Sequence, residues 1–484
     1  MNFKIDFKNS YAALPNNFYA RLNPEPVKQP VLIKINNKLA EDLGIDTNNI
    51  EASILEEIFS GNKILSNSDP IAMTYAGHQF GHWVPQLGDG RAILLGEIIA
   101  KDGLRKDIQL KGSGKTPFSR MGDGRAWLGP VIREYILSEA MNALSVPTTR
   151  ALSIIKTGEN IIREKIYPGA ILARVANSHI RVGTFQYFAS RKDIKSLKIL
   201  TDYVLDRHYP NLLKDKNKYL KFLENVALKQ AYLVAKWMSL GFIHGVMNTD
   251  NTSITGETID YGPCAFMDNF NYNQVFSSID HMGRYSYKNQ PEIMKWNLAC
   301  LATCLLPLIN EDENIALSEA QKVIDSISDT YENFWLKNFR AKFGLHKSFT
   351  KDKDLINDFL SLMEKHNLDF TLSFQGLAKI NNEGSLLKNY DDFNRWKLKY
   401  YDRLNQENIS LAERIKTIKF ANPVYIPRNH VIEKIITESL ENDFARFHAF
   451  NKCLSNPFEE NKEYTEFSKA PLDNEKVLET FCGT

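Results

Sequence analysis

The sequence predicts an α+β protein in two parts, a small β-rich N-terminal lobe followed by a larger helical lobe with extra helices. Three observations lead there. Residues 75–115 alternate glycine turns with short apolar runs, the pattern from about residue 210 turns to long helical periodicity, and no repeat or flexible linker divides the chain cleanly. At 484 residues the chain exceeds one ordinary domain of roughly 100–200 residues. A near-average share of apolar residues, 43%, gives it material for a large core and argues against wholesale disorder.

The elements follow in order. Residues 1–70 read as an N-terminal extension and 71–205 as the β-rich lobe. A GDGRA turn (Gly88 to Ala92) leads into the apolar run ILLGEIIA, a KDGLRK turn, and then DIQLKG, which together read as a hairpin-rich sheet. Pro130 can open a helix because its missing N–H is unneeded there, and Val131, Tyr135, Ile136, Met141 and Leu144 continue at helical spacing. Residues 206–450 read as the helical lobe. In FLENVALKQAYLVAKWMSL, Phe222, Val226, Leu233, Trp237 and Leu240 share a face, and Gly241 is a natural stop. TSITGETIDYG, at 252–262, reads as two short strands joined at its GE turn. The tail, 451–484, reads as weakly structured over its last 25 residues, with Val477, Leu478 and Phe481 as an apolar stripe that could dock ahead of Cys482.

Composition excludes several classes. Lys plus Arg is 60 against 58 Asp plus Glu, with no long basic run, so nucleic acid is not an expected partner. The N-terminus lacks a basic start followed by an apolar core, and no stretch of about 20 apolar residues runs uninterrupted, so the chain is expected to be soluble, cytoplasmic, monomeric and without a membrane partner. Five scattered cysteines form no disulfide framework and no CxxC pair. Cys300 and Cys304, one helical turn apart in an apolar stretch, read as small core residues.

Chemistry on a nucleotide phosphate needs a cation for the phosphates, an acid to hold that cation, and oxygen ligands for a divalent metal. The chain offers these in order. Lys111 ends the strand DIQLKG, and Glu134 lies early in the next helix. Later, GFIHGVMNTDN is followed ten residues past Asp250 by Asp260-Tyr261-Gly262, resembling a catalytic loop and a DFG triplet. In the kinase pattern H-x-D-x-x-x-x-N, His244 and Asn251 fall in register, but the position of the catalytic aspartate holds Val246. Alone each element is weak, since a lysine ending a strand is ordinarily a solvated charge; the ordered set carries the argument. Two decoys are set aside. GSGKT (Gly112 to Thr116) lacks the first glycine of a phosphate loop, where Gln109 stands, and HQFGH (His78 to His82) lacks the glutamate of a helical zinc motif and contains a glycine.

The sequence resembles the selenoprotein O family of kinase-like protein adenylyltransferases, in its cysteine-containing bacterial form. The resemblance rests on YAGHQFGHWVPQLGDGRA, QLKGSGKTPFSRMGDGRA, IREYILSEAMNAL, LARVANSHIRVGTFQYFA, HGVMNTDN with IDYGPCAFMD, IDHMGRYSYKNQP and NPVYIPRNH, spread over about residues 70–430. It implies a kinase-like bilobal fold that binds ATP turned around, so that AMP is transferred to protein Ser, Thr or Tyr hydroxyls; UMP from UTP is the related alternative. By motif it implies that Gly88, Gly90, Arg91, Asp123 and Gly124 line the nucleotide and that Lys111, Arg174 and Arg181 grip its phosphates. Glu134 would orient Lys111, Asn251 and Asp260 would hold Mg²⁺ or Mn²⁺, and Asp250 would accept the proton of the attacking hydroxyl. It further implies a redox pair of Cys264 and Cys482. An ordinary kinase, or a nucleotide-binding pseudokinase acting as a scaffold or redox sensor, remain the competing readings.

Overall fold

A computed structural model describes residues 4–48, 50–379 and 390–481. Its N-terminal part is one antiparallel sheet. In chain order the strands are β1 (Tyr19–Arg21), β2 (Val31–Ile35), β3 (Ile71–Gln79), β4 (His82–Gly88), β5 (Ala92–Ile99), β6 (Arg105–Lys111), β7 (Ala126–Trp127), β8 (Arg150–Ile162) and β9 (Ile166–Ala176). They lie in the order β1-β3-β5-β6-β9-β8-β2, with β4 paired to β3 and β7 to β9. Two strands from residues 1–70 therefore form its edges. The β5–β6 hairpin turns where the glycine pattern expects it, with Gly103 at φ +79° and its N–H on Ala100 O.

Both faces of this sheet are covered, because side chains alternate along each strand. On β9, Ile171 and Ala173 face a smaller core built with Leu39 of α1 (Asn37–Asp42) and Leu55, Ile58 and Phe59 of α2 (Ala52–Phe59). Ala170 and Leu172 face the main core, where α3 (Leu128–Ala143) packs on β8 and β9. That main core runs on without a break into the helical part.

The chain then forms α4 (Val182–Ser190), α5 (Ile194–His208) and α6 (Lys218–Leu240). Gly241 ends α6 in the left-handed region, at φ +68°. Next come α7 (Gln290–Ile309), α8 (Glu313–Lys342), α9 (Asp352–Lys365), α10 (Phe370–Gly376), α11 (Asp391–Asn405), α12 (Leu411–Ala421), α13 (Asn429–Leu440) and α14 (Ala445–Leu454). The helix Tyr287–Ile309 is long and apolar enough to cross a membrane, with a mean hydropathy of 1.4, although polar residues interrupt its apolar run. Here it packs against α4, α6 and α8. Its Gln290 and Asn297 brace the loop between α6 and Asp260, by bonds to Phe242 O, His244 N, Met247 O and Thr252 Oγ1.

Two expectations are corrected. TSITGETIDYG forms no hairpin of its own; it makes single bridges, Thr258 to Thr148 and Ser253 to Arg181. The paired two-residue strands are β10 (Phe242–Ile243) and β11 (Ala265–Phe266), which flank the segment. In the tail, Leu478 and Phe481 are exposed, so no apolar stripe docks; Thr480 does instead, through its N–H to Phe276 O and its hydroxyl to Pro263 O. Cys304 is buried and its Sγ meets Cys300 O at 3.2 Å, as core packing requires.

Candidate active site

The floor of the site is assembled by the sheet register. β6 and β9 pair Gln109 with Arg174, which sets Lys111 and Arg174 beside one another, and the side chain of Gln109 accepts from Arg174 at 2.6 Å. Glu134 comes from the second turn of α3 and Asp260 from the loop before β11. Lys111 Nζ lies 2.6 Å from both Glu134 and Asp260, while Arg174 lies 2.7 Å from Asp260 and 3.3 Å from Glu134. Arg181, just before α4, stacks over Tyr75 at 4.3 Å and reaches Asp89 and Asp260 at 3.7 and 3.9 Å. Its Nη1 donates to Asp250 O, fixing the next loop.

Asp260 is held against its own backbone preference. Its φ of +64° is a left-handed conformation that a non-glycine residue adopts at a cost of roughly 1–3 kcal/mol, stored where the surroundings over-determine it. Burial pushes its carboxyl up, but Lys111, Arg174 and Arg181 outweigh burial and hold it well below the usual carboxylate range. It is therefore ionised at neutral pH. Burial opposes the charge of Arg174, and Asp260 and Glu134 reverse that effect, so the guanidinium stays protonated.

Asp250 and Asn251 sit on a short turn, Thr249–Asn251, under the tip of the β3–β4 hairpin. Three bonds dock that tip: His78 N–H to Thr249 Oγ1 at 2.7 Å, Gln79 Nε2 to Asp250 Oδ2 at 3.1 Å, and Phe80 N–H to Asn248 Oδ1 at 3.0 Å. Gly77 is required here, because a Cβ on it would stand 2.8 Å from Asp250 Oδ1. Burial pushes the Asp250 carboxyl up to about 6, against the hydrogen bond from Gln79, which favours the ionised form. Among the described residues its Oδ1 has no hydrogen-bond partner. Val246, where a kinase has its base, is buried and supplies only backbone, its carbonyl accepting from Asn251 Nδ2.

The opposite wall is glycine-rich because backbones approach closely. Gly124 has φ +69°, and a Cβ there would fall 2.0 Å from Gly114 O; one on Gly90 would fall 2.8 Å from Phe118 O. Arg163 holds Asp123 by two bonds, at 2.8 and 2.9 Å. Together these groups enclose a cavity of about 560 Å³, and Gly88, Gly90, Arg91, Lys111, Asp123, Gly124, Glu134, Arg174, Arg181, Asp250, Asn251 and Asp260 all line it. The cysteines are different. Cys264 is buried behind Pro263, its carbonyl accepting from Arg133, and Cys482 lies outside the described residues.

The decoys resolve as set aside. Lys115 of GSGKT is exposed, and His78 and His82 stand on neighbouring strands, not on a helix. Sequence reasoning missed Gln79, Tyr75, Asp89 and Arg163. The first was in view inside HQFGHW, but its hydrogen bond spans 171 residues and has no local pattern.

For a divalent cation the donors fit in kind. Asp260, the Asn251 amide and the unpartnered Asp250 Oδ1 are hard oxygens on one cavity. Among the described residues no three His, Cys, Asp or Glu side chains converge into a cage. A Mg²⁺ or Mn²⁺ bound there would take its remaining ligands from substrate phosphates and water.

Three cations at the end of a nucleotide-sized cavity are the partners a polyphosphate ester requires. The class follows from comparison with known proteins. Residues 1–455 match the family model described as protein adenylyltransferase SelO. Among curated relatives, the protein nucleotidyltransferase YdiU of Rhodopseudomonas palustris is 51% identical over 492 residues, covering 100% of both chains. Those of Bradyrhizobium diazoefficiens and Rhizobium rhizogenes are also 51% identical, covering 100% and 99% of this chain and 100% and 97% of theirs. The chain belongs to the SelO family of protein adenylyltransferases, and it is an enzyme of the nucleotidyltransferase class.

Proposed function

We propose that the chain transfers AMP from ATP to Ser, Thr or Tyr hydroxyls of other proteins, in a kinase-like bilobal fold that holds the nucleotide with its terminal phosphates inward. The observation that carries this is the convergence of Lys111, Arg174 and Arg181 on Asp260 and Glu134 at the cavity floor. An ordinary kinase has one such lysine–glutamate pair; two further buried arginines suit a pyrophosphate that leaves with concentrated charge.

In this reading the acceptor oxygen attacks the α-phosphorus, the bond from that phosphorus to the bridging oxygen breaks, and pyrophosphate departs. The three cations stabilise the leaving group because they are fixed before the reaction begins. Glu134 keeps Lys111 in place. Asp250 accepts the hydroxyl proton, a task for which a pKa near 6 leaves it mostly ionised at neutral pH and still basic. Asn251 and Asp260 hold Mg²⁺ or Mn²⁺, which when bound neutralises phosphate charge. Gly88, Gly90, Arg91, Asp123 and Gly124 form the nucleotide wall.

The test is parallel incubation of protein and a generic acceptor with α-labelled and γ-labelled ATP plus divalent metal, with Asp260→Ala as background. Label from the α position alone is the expected result. Label from the γ position alone would return the chain to the kinases, and label from UTP in preference to ATP would change the donor. Nucleotide binding without label in either arm would leave a pseudoenzyme.

A further inference from the structure

A second cavity, of about 660 Å³, opens in the helical part and shares no lining residue with the active site. It lies where the C-terminal ends of α6 and α8 meet α12, lined by Lys236 and Leu240, Asn338 and Lys342, and Lys416 and Phe420. Its charge is one-sided. Lys236, Lys342 and Lys416 face one carboxylate, Glu413, and His346 completes its titratable lining.

Lys342 is the most deeply buried of these cations. It is 3% exposed, yet the ionised group acting on it is another cation, Lys236, and no ion pair with an acid forms among the described residues. Its Nζ lies 4.3 Å from the ring centroid of Phe374 and 5.5 Å from that of Phe370, contacts that offset only part of the loss of water around a charge. Burial and the facing Lys236 push its amine down to about 7. Lys236 is pushed down as well, by burial and by Lys337. On the same wall, the Nδ2 of Asn338 is buried with no acceptor among the described residues. The two helix ends do not supply the missing negative charge freely, because Asn422 Nδ2 already binds Lys342 O and Ser239 Oγ binds Lys236 O.

Unneutralised cations and an unmet donor on one cavity are answered together by an acceptor that carries negative charge. Leu144, Leu240, Phe420 and Phe458 give the wall an apolar portion, beside the hydroxyls of Ser145, Ser239 and Thr417. We propose that this cavity binds a small organic anion, its phosphate or carboxylate head held by Lys342, Lys236 and Asn338 and its apolar body against Phe420 and Phe458. The site is separate from the nucleotide cleft. Leu240 of its wall is nonetheless followed directly by Gly241 and β10, which lead into the loop carrying Asp250.

Phenyl phosphate is the probe, titrated calorimetrically into the full chain, with benzyl alcohol as its uncharged counterpart. Saturable binding is expected in the wild type and in Lys111→Met, which alters the nucleotide cleft. It should weaken at least ten-fold in Lys342→Met, in Lys236→Met and in Asn338→Leu. Lys236 and Asn338 are only partly buried, so those variants keep the test decisive if Lys342→Met does not fold. The proposal is overturned by no saturable heat, by benzyl alcohol binding as well as phenyl phosphate, by affinity that survives the Lys236 and Asn338 changes, or by affinity lost only in Lys111→Met.

Discussion

Two buried ion clusters in this protein use the same residue types to opposite ends. In the helical part, Arg340, Arg403 and Arg414 surround Asp352 and Glu407. Their remaining valences go to backbone of the α8–α9 connection: Glu407 accepts from His346 and Lys347 N–H, Asp352 from Phe349 N–H, and Arg414 donates to Gly344 O. In the cleft, Lys111, Arg174 and Arg181 surround Glu134 and Asp260, but the cluster faces a cavity, its aspartate is strained, and Arg174 Nε, Arg181 Nη2 and the nearby Asp250 Oδ1 have no hydrogen-bond partner among the described residues. A charge cluster tied to backbone on most sides, with Arg403 Nη1 its one buried atom lacking a hydrogen bond among the described residues, holds a loop in place. One left incomplete beside a void is arranged for something that arrives later.

The largest effects should separate the two. Asp260→Ala or Lys111→Met is expected to lower AMP transfer by about 10³-fold or more, at a smaller cost in stability than a change in the other cluster, because the charges left under-paired border an open cavity. Arg403→Met, which leaves Asp352 and Glu407 under-paired, is expected to cost about 3–5 kcal/mol of stability while activity per folded molecule is kept. Label incorporation and denaturant unfolding measure the two axes. If Asp260→Ala unfolds the protein as readily as Arg403→Met, the contrast fails.

Next in size, Asp250→Asn should lower transfer by about 10²–10⁴-fold, the ordinary contribution of a general base. Acidification then sharpens the comparison. Burial raises Asp250 to about 6, so kcat/KM should fall as pH drops through 6, in a range where the ion knot is intact. Burial works against the charges of Asp352 and Glu407, but Arg403 and the backbone donors outweigh it and lower both pKa values. Their stabilising contribution is complete above the unfolded values of about 4 and is lost only as pH falls through the folded ones. Activity should therefore fail at a higher pH than the fold.

Gln79→Leu is a smaller change. It removes the one side-chain donor to Asp250 Oδ2 among the described residues, so the acid limb of the kcat/KM profile should move to higher pH while the melting temperature hardly changes. The smallest effect is expected at Arg163→Met. Its partner Asp123 is 43% exposed, so the pair is worth about 0–1 kcal/mol and the change should raise the nucleotide KM a few-fold at most.

The sequence made the local parts of this arrangement legible. The glycine turns around β5 and β6, the opening of α3 near Pro130 and the stop of α6 at Gly241 are decided by neighbours in the chain, and each is where its pattern places it. Lys111, Glu134 and Asp260 could be named from a strand end, the helix that follows it and a DFG-like triplet, whereas the role of Asp250 came from resemblance. Arg174 and Arg181 emerged only through resemblance, since an arginine in a strand or at a helix start has no periodic signature. TSITGETIDYG misled because alternating β-branched residues signal a strand without saying what pairs with it; its bridges go to Thr148 and Arg181, far off in sequence. Leu478 and Phe481 misled because apolarity does not guarantee a receiving surface, and at that edge the open carbonyls of Phe276 and Pro263 suit a threonine.

The bond from Lys111 to Asp260 joins residues 149 apart, and that from Arg133 to Asn429 spans 296. Contacts of such sequence separation form slowly, because the ordering of the intervening chain precedes their reward. On refolding from denaturant, α6 and the β5–β6 hairpin can assemble early, whereas the charge cluster closes only when both halves have met. Recovered helical signal would then run ahead of recovered catalysis, making enzymatic competence a late clock for the whole molecule.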